Sequence, residues 1–191
     1  EHGPNSRGAE NFWHSDVTWR MKPSLGSVLR AHEVPSAGGD TLFANMALAY
    51  NRLPDVTKEK IHDCVAVHDI ARVFASRLNK KPEELHELYP PVEHPVVRTH
   101  PETKESVVYV NGAFTSHIKG MEAKESRRLL DTLYKSTWDP EIQCRFQWQA
   151  GSIAFWDNRA CQHFAVSDYF PAVRVMERVT IAGDKPYFDN R

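Results

Sequence analysis

The sequence predicts a mainly β fold with flanking helices, built as a two-sheet antiparallel sandwich or jelly roll. The last fifty residues consist largely of short segments rich in β-branched and aromatic residues, which are typical of strands. Helical periodicity is confined to a few stretches that do not alternate regularly with strands, so a parallel α/β fold is disfavoured. With 191 residues, 41% hydrophobic and 26% charged, the chain fits one globular domain.

Each element follows from a local pattern in the sequence. Strands are predicted over residues 27–34, 41–43, 65–70, 106–110, 144–149, 152–156 and 173–181. Helices are predicted over 45–53, from Pro54 onward, and over 123–136, where leucines recur at helical spacing. Residues 75–91 are polar and contain Lys80-Lys81-Pro82, which favours a mobile surface loop or lid.

Charge and composition argue against several classes of partner. The 24 Lys and Arg residues nearly balance 25 Asp and Glu, so the net charge of -1 provides no electrostatic basis for nucleic-acid binding. No apolar run approaches the roughly 18 residues of a membrane span, so no membrane partner is expected. Three cysteines (Cys64, Cys144 and Cys161) are too few for a disulfide framework, which predicts a reducing cytoplasm.

The predicted strand at 173–181 alternates between two kinds of side chain. Arg174 and Arg178 fall on one face, whereas Val175 and Val179 fall on the other. If the arginine face points inward, both cations need anionic partners, because an unpaired buried charge is too costly.

His14 and Asp16 are the one place in the sequence where His is followed two residues later by Asp. On a strand such residues project to the same side, about 6.6 Å apart, and can grip one metal ion. A third ligand from a distant strand would complete a two-His-one-carboxylate face, which suits non-haem Fe(II) with positions left for a chelating cosubstrate and O2. A hydrogen-bonded surface pair is the alternative, and His100 with Glu102 is a decoy of similar shape.

His163 is the candidate third ligand because it lies eleven residues before Arg174, and adjacent antiparallel strands can bring the two alongside each other. Around it, the chain resembles the taurine dioxygenase family, the TauD-like branch of the Fe(II)/2-oxoglutarate-dependent dioxygenases. The matching segments run in order along the chain: Trp13-His14-Ser15-Asp16-Val17-Thr18, Gly38-Gly39-Asp40-Thr41, residues 94–100 and 110–115, Trp156-Asp157-Asn158-Arg159, Gln162-His163, Arg174, Arg178 and Gly183-Asp184-Lys185-Pro186.

The resemblance implies a single TauD-like domain over 1–191 with a double-stranded β-helix (jelly-roll) core. It implies that His14, Asp16 and His163 bind Fe(II) and that Arg174 forms a bidentate pair with the distal carboxylate of 2-oxoglutarate. It also implies that Thr41 hydrogen-bonds this carboxylate, the alternative being an ordinary strand threonine. Relatives carry a portion ahead of the His-x-Asp segment, and we expect it to be absent or not shown here.

For the substrate, the resemblance implies that Arg178 meets a sulfonate and that Phe74 and Phe114 line the pocket. Each Phe is equally consistent with a core position, and Arg178 with a pair to an exposed carboxylate. The implied reaction uses O2 and 2-oxoglutarate to hydroxylate the carbon next to the sulfonate of a small anion. We expect taurine, with release of sulfite, an aldehyde, succinate and CO2.

Alternatives remain open at this point. The same chemistry on an alkyl sulfate ester or an aryloxyalkanoate fits the same arginine. A non-catalytic double-sheet protein that binds a metal or a small acid is a rival from another class, and a zinc hydrolase is disfavoured for want of a general base. We also expect a homo-oligomer, either a dimer or a tetramer.

Overall fold

The computed structural model describes residues 11–189. The strands are β1 (Gly26–Glu33), β2 (Thr41–Asn45), β3 (Val65–His68), β4 (Val92–Pro95), β5 (Val97–Thr99), β6 (Ser106–Val108), β7 (Thr115–Ile118), β8 (Gln143–Phe146), β9 (Ile153–Asp157), β10 (Cys161–Ala165) and β11 (Val175–Ile181). The helices are α1 (Met46–Arg52), α2 (Asp55–Ile61), α3 (Ala71–Leu78), α4 (Pro82–Leu88) and α5 (Ala123–Lys135), and two short 3-10 turns follow α5.

Two antiparallel sheets form the β core. One has the order β11-β1-β9 and the other the order β10-β2-β8. The consecutive strands β8, β9, β10 and β11 alternate between these sheets, which is the connectivity of a jelly roll. The predicted mainly β fold with a double-stranded β-helix core is therefore confirmed.

The chain between β2 and β8 builds a separate layer on one sheet. It carries all five helices and two small antiparallel sheets, with orders β4-β3-β7 and β5-β6. Ala44 of β2 is fully buried in one apolar cluster with Met46, Ile61, Val97 and Leu130. Because side chains alternate along β2, the neighbours of Ala44 point the other way, into the space between the two jelly-roll sheets.

The predicted helices begin and end close to the predicted positions. Asn45 caps α1, since its side-chain oxygen accepts hydrogen bonds from the amides of Ala47 and Leu48 at 3.0 and 3.1 Å. Pro54 precedes α2, and α5 buries the leucine face that its periodicity indicates. No helix within residues 11–189 is long and apolar enough to cross a membrane.

The predicted surface loop at 75–91 is wrong, because this segment is largely helical. It contains the end of α3 and the whole of α4. Pro82 stands at the start of α4, and the Glu84 side chain accepts a hydrogen bond from the Lys81 amide at 3.0 Å. Leu85 is buried. The polar composition belongs to the exposed faces of two short helices rather than to a loop.

The alternation predicted for residues 173–181 is present, with the arginine face turned inward. Arg174, just before β11, is only 7% exposed, whereas Val179 on the opposite face is 62% exposed. The cationic side of the strand therefore faces the space between the sheets.

Candidate metal centre

Two histidines and an aspartate converge between the sheets. His14 Nε2 lies 3.8 Å from Asp16 Oδ1, and His163 Nε2 lies 3.9 Å from the same oxygen. One possible ligand atom of each residue lies within 4.8 Å of those of the other two, and all three residues are buried. Among residues 11–189, these three residues form the group of His, Cys, Asp or Glu side chains whose arrangement could hold a metal ion.

A short main-chain pairing brings the two histidines together. The amide of His14 donates to the carbonyl of His163 at 3.1 Å, and the amide of His163 donates to the carbonyl of His14 at 2.8 Å. Asp16 already lies in a turn, so the expectation that His14 and Asp16 share a regular strand is wrong. The turn directs the Asp16 carboxylate back toward the paired histidines.

Both imidazoles are suited to binding a metal through Nε2. His14 Nδ1 lies 2.9 Å from the carbonyl of Phe12, which can only accept, so Nδ1 carries the proton and Nε2 presents a lone pair. Burial lowers the pKa of His163 to about 3, so this ring is neutral at neutral pH, as a metal ligand must be. Its buried Nδ1 has no hydrogen-bond partner among the described residues.

The Asp16 carboxylate is ionised despite its position. Burial alone would raise its pKa, but the positive charge of Arg178 and a hydrogen bond from Ser27 act in the opposite direction, and the pKa is lowered overall. An ionised carboxylate and two neutral imidazoles match the hard and borderline donors that Fe(II) accepts. The donor set therefore fits the group that the sequence implies.

Aromatic rings enclose the His163 side of the centre. The Trp156 ring lies 4.9 Å from the His163 ring, and Phe43 lies 5.3 Å from Trp156 and 6.3 Å from His163. These rings leave little freedom for the imidazole and reduce the access of water from this side.

Arg174 lies in a buried aromatic pocket. Its guanidinium carbon is 5.9 Å from the ring centres of both Trp148 and Tyr169. Trp148 Nε1 in turn donates to the Thr41 hydroxyl at 3.0 Å, so Arg174 and Thr41 contact the same indole. A side chain at Gly39 would crowd Arg174 and Tyr169, because its Cβ would lie 3.2 Å from the nearest side-chain atom of each. This glycine also has a left-handed φ of +72°.

Thr41 faces the metal centre from the second sheet. It lies two residues from Phe43, which pairs directly with His163 across β2 and β10. Residues two apart on a strand share a face, as do directly paired residues, so Thr41 and His163 point into the same interior space.

Arg178 reaches the centre from the other sheet. Its Nη1 donates to Asp16 Oδ1 at 3.1 Å, while half of its side chain stays exposed to solvent. The structure thus places this arginine beside the proposed ligand set and within reach of solvent. The exposed peripheral pair considered as an alternative does not describe it, because Asp16 is buried.

Phe114 and Phe74 form a wall on the His14 side. Phe114 is buried and meets the His14 ring edge-on at 6.3 Å, and Phe74 of α3 stacks on Phe114 at 6.4 Å with nearly parallel planes. The two rings therefore lie next to the centre as well as in a small apolar cluster of their own.

A family model described as taurine catabolism dioxygenase TauD, TfdA family, matches residues 1–180. The chain belongs to this family.

Individual relatives agree with this membership. The chain is 38% identical over 184 residues to an alpha-ketoglutarate-dependent sulfate ester dioxygenase of Pseudomonas putida, with 92% of this chain and 61% of the relative covered. Among solved structures, a taurine dioxygenase from Burkholderia xenovorans superposes with a TM-score of 0.80 at 39% identity, covering 91% of this chain and 59% of that one. The structure of AAD-2 in complex with Mn(II) and N-oxalylglycine superposes with a TM-score of 0.85 at 32% identity, covering 93% of this chain and 70% of AAD-2. The chain spans about three fifths of the length of the curated relatives it matches.

His100, which with Glu102 resembles the His-x-Asp pair in sequence, makes structural contacts in this TauD/TfdA chain. His100 Nε2 lies 3.1 Å from Asp157, and its Nδ1 accepts hydrogen bonds from the amides of Glu102 and Thr103. Asp157 also bonds Arg159. His100 therefore joins the helical layer to β9 of the jelly roll, and it is not one of the three converging side chains.

Three residues that contact candidate site residues of this TauD/TfdA chain were not identified from the sequence. They are Ser27 and Asn158, which bond Asp16, and Trp148, which contacts both Thr41 and Arg174. Asn158 lies within the Trp-Asp-Asn-Arg segment that carries the family resemblance. Ser27 stands at an inward position of β1, where a buried hydroxyl needs a partner.

Proposed function

We propose that this chain forms the catalytic part of an Fe(II)- and 2-oxoglutarate-dependent dioxygenase that oxidises the carbon next to a sulfate or sulfonate group. One observation carries the proposal: a buried His-Asp-His group and two inward arginines share one interior space. Neither a hydrolase nor a simple metal-binding protein requires two cations beside such a group.

His14, Asp16 and His163 would hold the metal on one side and leave its other side open. When bound, Fe(II) and 2-oxoglutarate supply the oxidation of a C–H bond by O2, with conversion of 2-oxoglutarate to succinate and CO2. The protein supplies the ligands, orients two anions and restricts the access of water. AAD-2 supports the metal and cosubstrate assignment, because N-oxalylglycine differs from 2-oxoglutarate by an amide nitrogen in place of a methylene.

Arg174 and Thr41 would bind the distal carboxylate of 2-oxoglutarate. A planar guanidinium can donate two parallel hydrogen bonds to a carboxylate. The Thr41 hydroxyl accepts from Trp148, so its own proton is available for donation to the carboxylate. Trp148 and Tyr169 flank Arg174, so the paired charges would be held away from water, where their attraction is stronger.

Arg178 would bind the anionic group of the substrate. It is next to Asp16 and half exposed, so a small anion arriving from solvent would meet it close to the metal. The Phe74 and Phe114 wall beside His14 offers an apolar surface for the carbon chain that follows the anionic group. An alkyl chain suits this wall better than the ammonium group of taurine.

Because of these features, we propose an alkyl sulfate ester as the first candidate substrate. The sulfate ester dioxygenase of Pseudomonas putida supports this order. Oxidation of the carbon next to the ester oxygen would produce an unstable intermediate that collapses to an aldehyde and sulfate. Taurine, expected from the sequence resemblance, is the second candidate, supported by the taurine dioxygenase structure, and its products would be an aldehyde and sulfite.

The test is product analysis with purified protein, Fe(II), 2-oxoglutarate and O2. Hexyl sulfate, taurine and phenoxyacetate are supplied in parallel, and succinate, sulfate, sulfite and phenol are measured. We expect succinate and sulfate in equal amounts with hexyl sulfate, and loss of both on removal of the metal with a chelator. Sulfite from taurine at a higher kcat/KM would reverse the order of the substrates.

Asp16→Ala provides the negative variant, because it removes the carboxylate ligand. Asp131→Ala is the matched control, since this carboxylate lies on the exposed side of α5, where it pairs with Arg127. Succinate formation by Asp16→Ala at the level of Asp131→Ala would contradict the metal assignment. Absence of succinate from every substrate with metal-loaded wild-type protein would favour the non-catalytic binding protein.

We also propose that the protein works in a reducing cytoplasm. Its three cysteines, Cys64, Cys144 and Cys161, are all free thiols. Fe(II) is the oxidation state that such a compartment favours.

A further inference from the structure

The two oxygens of the Asp16 carboxylate have different surroundings. Oδ1 faces the Nε2 atoms of His14 and His163 at 3.8 and 3.9 Å. Oδ2 accepts a hydrogen bond of 2.8 Å from the Ser27 hydroxyl. Oδ1 also accepts a hydrogen bond from Nη1 of the half-exposed Arg178 at 3.1 Å. The carboxylate therefore presents one oxygen to the histidines and this arginine, while Ser27 binds the other.

Ser27 is placed for this contact by β1. It pairs with Trp156 on one side and Thr180 on the other, and it has no solvent exposure. Its hydroxyl lies at the inner face, where the next inward residue, Leu29, is apolar. A buried hydroxyl costs stability unless it is hydrogen-bonded, and in this structure its acceptor is Asp16.

Asn158 holds the main chain of the same aspartate. Its Oδ1 accepts from the Asp16 amide at 2.6 Å, and its Nδ2 donates to the Asp16 carbonyl at 3.0 Å. The next residue, Val17, has a φ of +50°, which is a costly conformation for a β-branched residue. Such a turn persists when its surroundings fix it, and Asn158 supplies two of the fixing hydrogen bonds.

We infer that Ser27 and Asn158 are positioning residues for the metal centre. Asn158 fixes the turn from which Asp16 projects, and Ser27 fixes the rotation of the carboxylate, so that Oδ1 alone is turned toward the two imidazoles. Partners of this kind orient a ligand before the metal arrives and thereby raise metal affinity. This inference rests on the proposed function, because it takes the three side chains as metal ligands.

A purely structural role makes a different prediction. If Ser27 only satisfies a buried acceptor, its removal lowers stability and leaves the metal site unchanged. If Ser27 positions the carboxylate, its removal frees Oδ2 to turn toward the metal, which changes both the affinity and the coordination of the bound ion.

The experiment is a Co(II) titration of the whole chain, followed by visible absorption, which responds to the number and arrangement of ligands. Ser27→Ala is compared with wild type and with Ser126→Ala. Ser126 is a matched control because it is also buried, and its hydroxyl accepts a hydrogen bond from the Ile118 amide at 2.8 Å rather than donating to a candidate metal ligand. Thermal unfolding of each variant measures the loss of stability separately.

We expect Ser27→Ala to bind Co(II) about tenfold to a hundredfold more weakly, with an altered spectrum. Ser126→Ala should keep the affinity and spectrum of wild type even if it loses stability. Unchanged affinity and spectrum in Ser27→Ala would overturn the inference while leaving the proposed function intact. Failure of the wild-type protein to bind Co(II) would instead count against the proposed function.

If Ser27→Ala does not fold, Ser27→Thr replaces it, because threonine retains the hydroxyl. The inference then requires a wild-type spectrum from Ser27→Thr and an altered one from Asn158→Ala. A wild-type spectrum from Asn158→Ala would overturn it.

Discussion

Arg174 and Arg178 lie on the same face of one strand segment, four residues apart, yet their surroundings are opposite. Arg174 is 7% exposed and lies between the rings of Trp148 and Tyr169. The side chain of Arg178 is 50% exposed and its Nη1 contacts the Asp16 carboxylate. Two arginines only four positions apart thus lie in two different environments.

The difference in burial matches the ligands that we propose for the two cations. A cosubstrate that is the same in every turnover can be held in a closed pocket, where a fixed guanidinium and low dielectric give a strong and specific pair. A substrate must enter and leave beside the metal, so its cation needs access to solvent. The burial of each arginine therefore distinguishes the proposed cosubstrate site from the proposed substrate site, whereas residue type and strand face do not.

The largest expected effect is the loss of 2-oxoglutarate binding in Arg174→Ala. Removing one side of a buried charge pair costs about 2–5 kcal/mol, so the Kd for 2-oxoglutarate should rise at least about thirtyfold. Calorimetric titration of the Mn(II)-loaded protein measures it. An Arg174→Ala protein with normal 2-oxoglutarate affinity would show that the buried pocket has another occupant.

A smaller effect is expected from Arg178→Ala, and on the other ligand. The KM for the anionic substrate should rise about tenfold, because a half-exposed charge-assisted bond contributes about 1.5 kcal/mol. Decarboxylation of 2-oxoglutarate without substrate should continue, as measured by succinate release. If 2-oxoglutarate affinity fell instead, the division of roles between the two arginines would be wrong.

The smallest expected effect is a difference in response to salt. Mobile ions screen exposed charges far more than buried ones, and the screening length falls from about 10 Å at 0.1 M to about 3 Å at 1 M. Raising the salt concentration over this range should increase the substrate KM about twofold to fivefold and change the Kd for 2-oxoglutarate less. Equal responses would mean that the two arginines are equally accessible during turnover.

Local patterns were sufficient for much of the fold. The helix predicted over 45–53, the leucine face of α5 and the alternation of residues 173–181 all depend on neighbours in sequence, and the structure has them. The error at residues 75–91 has a physical cause as well. A short helix such as α4, in which Leu85 is the buried side chain, shows almost no hydrophobic periodicity. Its polar sequence therefore resembles that of a loop.

The candidate site was predictable only where a residue type carries the chemistry. Histidine, aspartate and arginine point to metal and anion binding by their functional groups, and the order of motifs joined them to a family. Ser27 and Asn158 were missed because their importance lies in what they touch across the fold, and a serine in a strand has no distinguishing pattern. The turn at Asp16, followed by Val17 in a left-handed conformation, was also missed, because the sequence analysis treated this segment as a regular strand.

The contact between Asp16 and Asn158 joins residues 142 positions apart, and the pairing of His14 with His163 spans a similar distance. Contacts of such separation carry a large loop-closure cost and form after local structure does. We therefore expect the centre to form late in folding, when both halves of the jelly roll have come together. A metal ion that binds only the folded chain stabilises the folded state by mass action. At a free metal concentration of about 100 times the Kd, the free energy of unfolding would increase by about 2.7 kcal/mol.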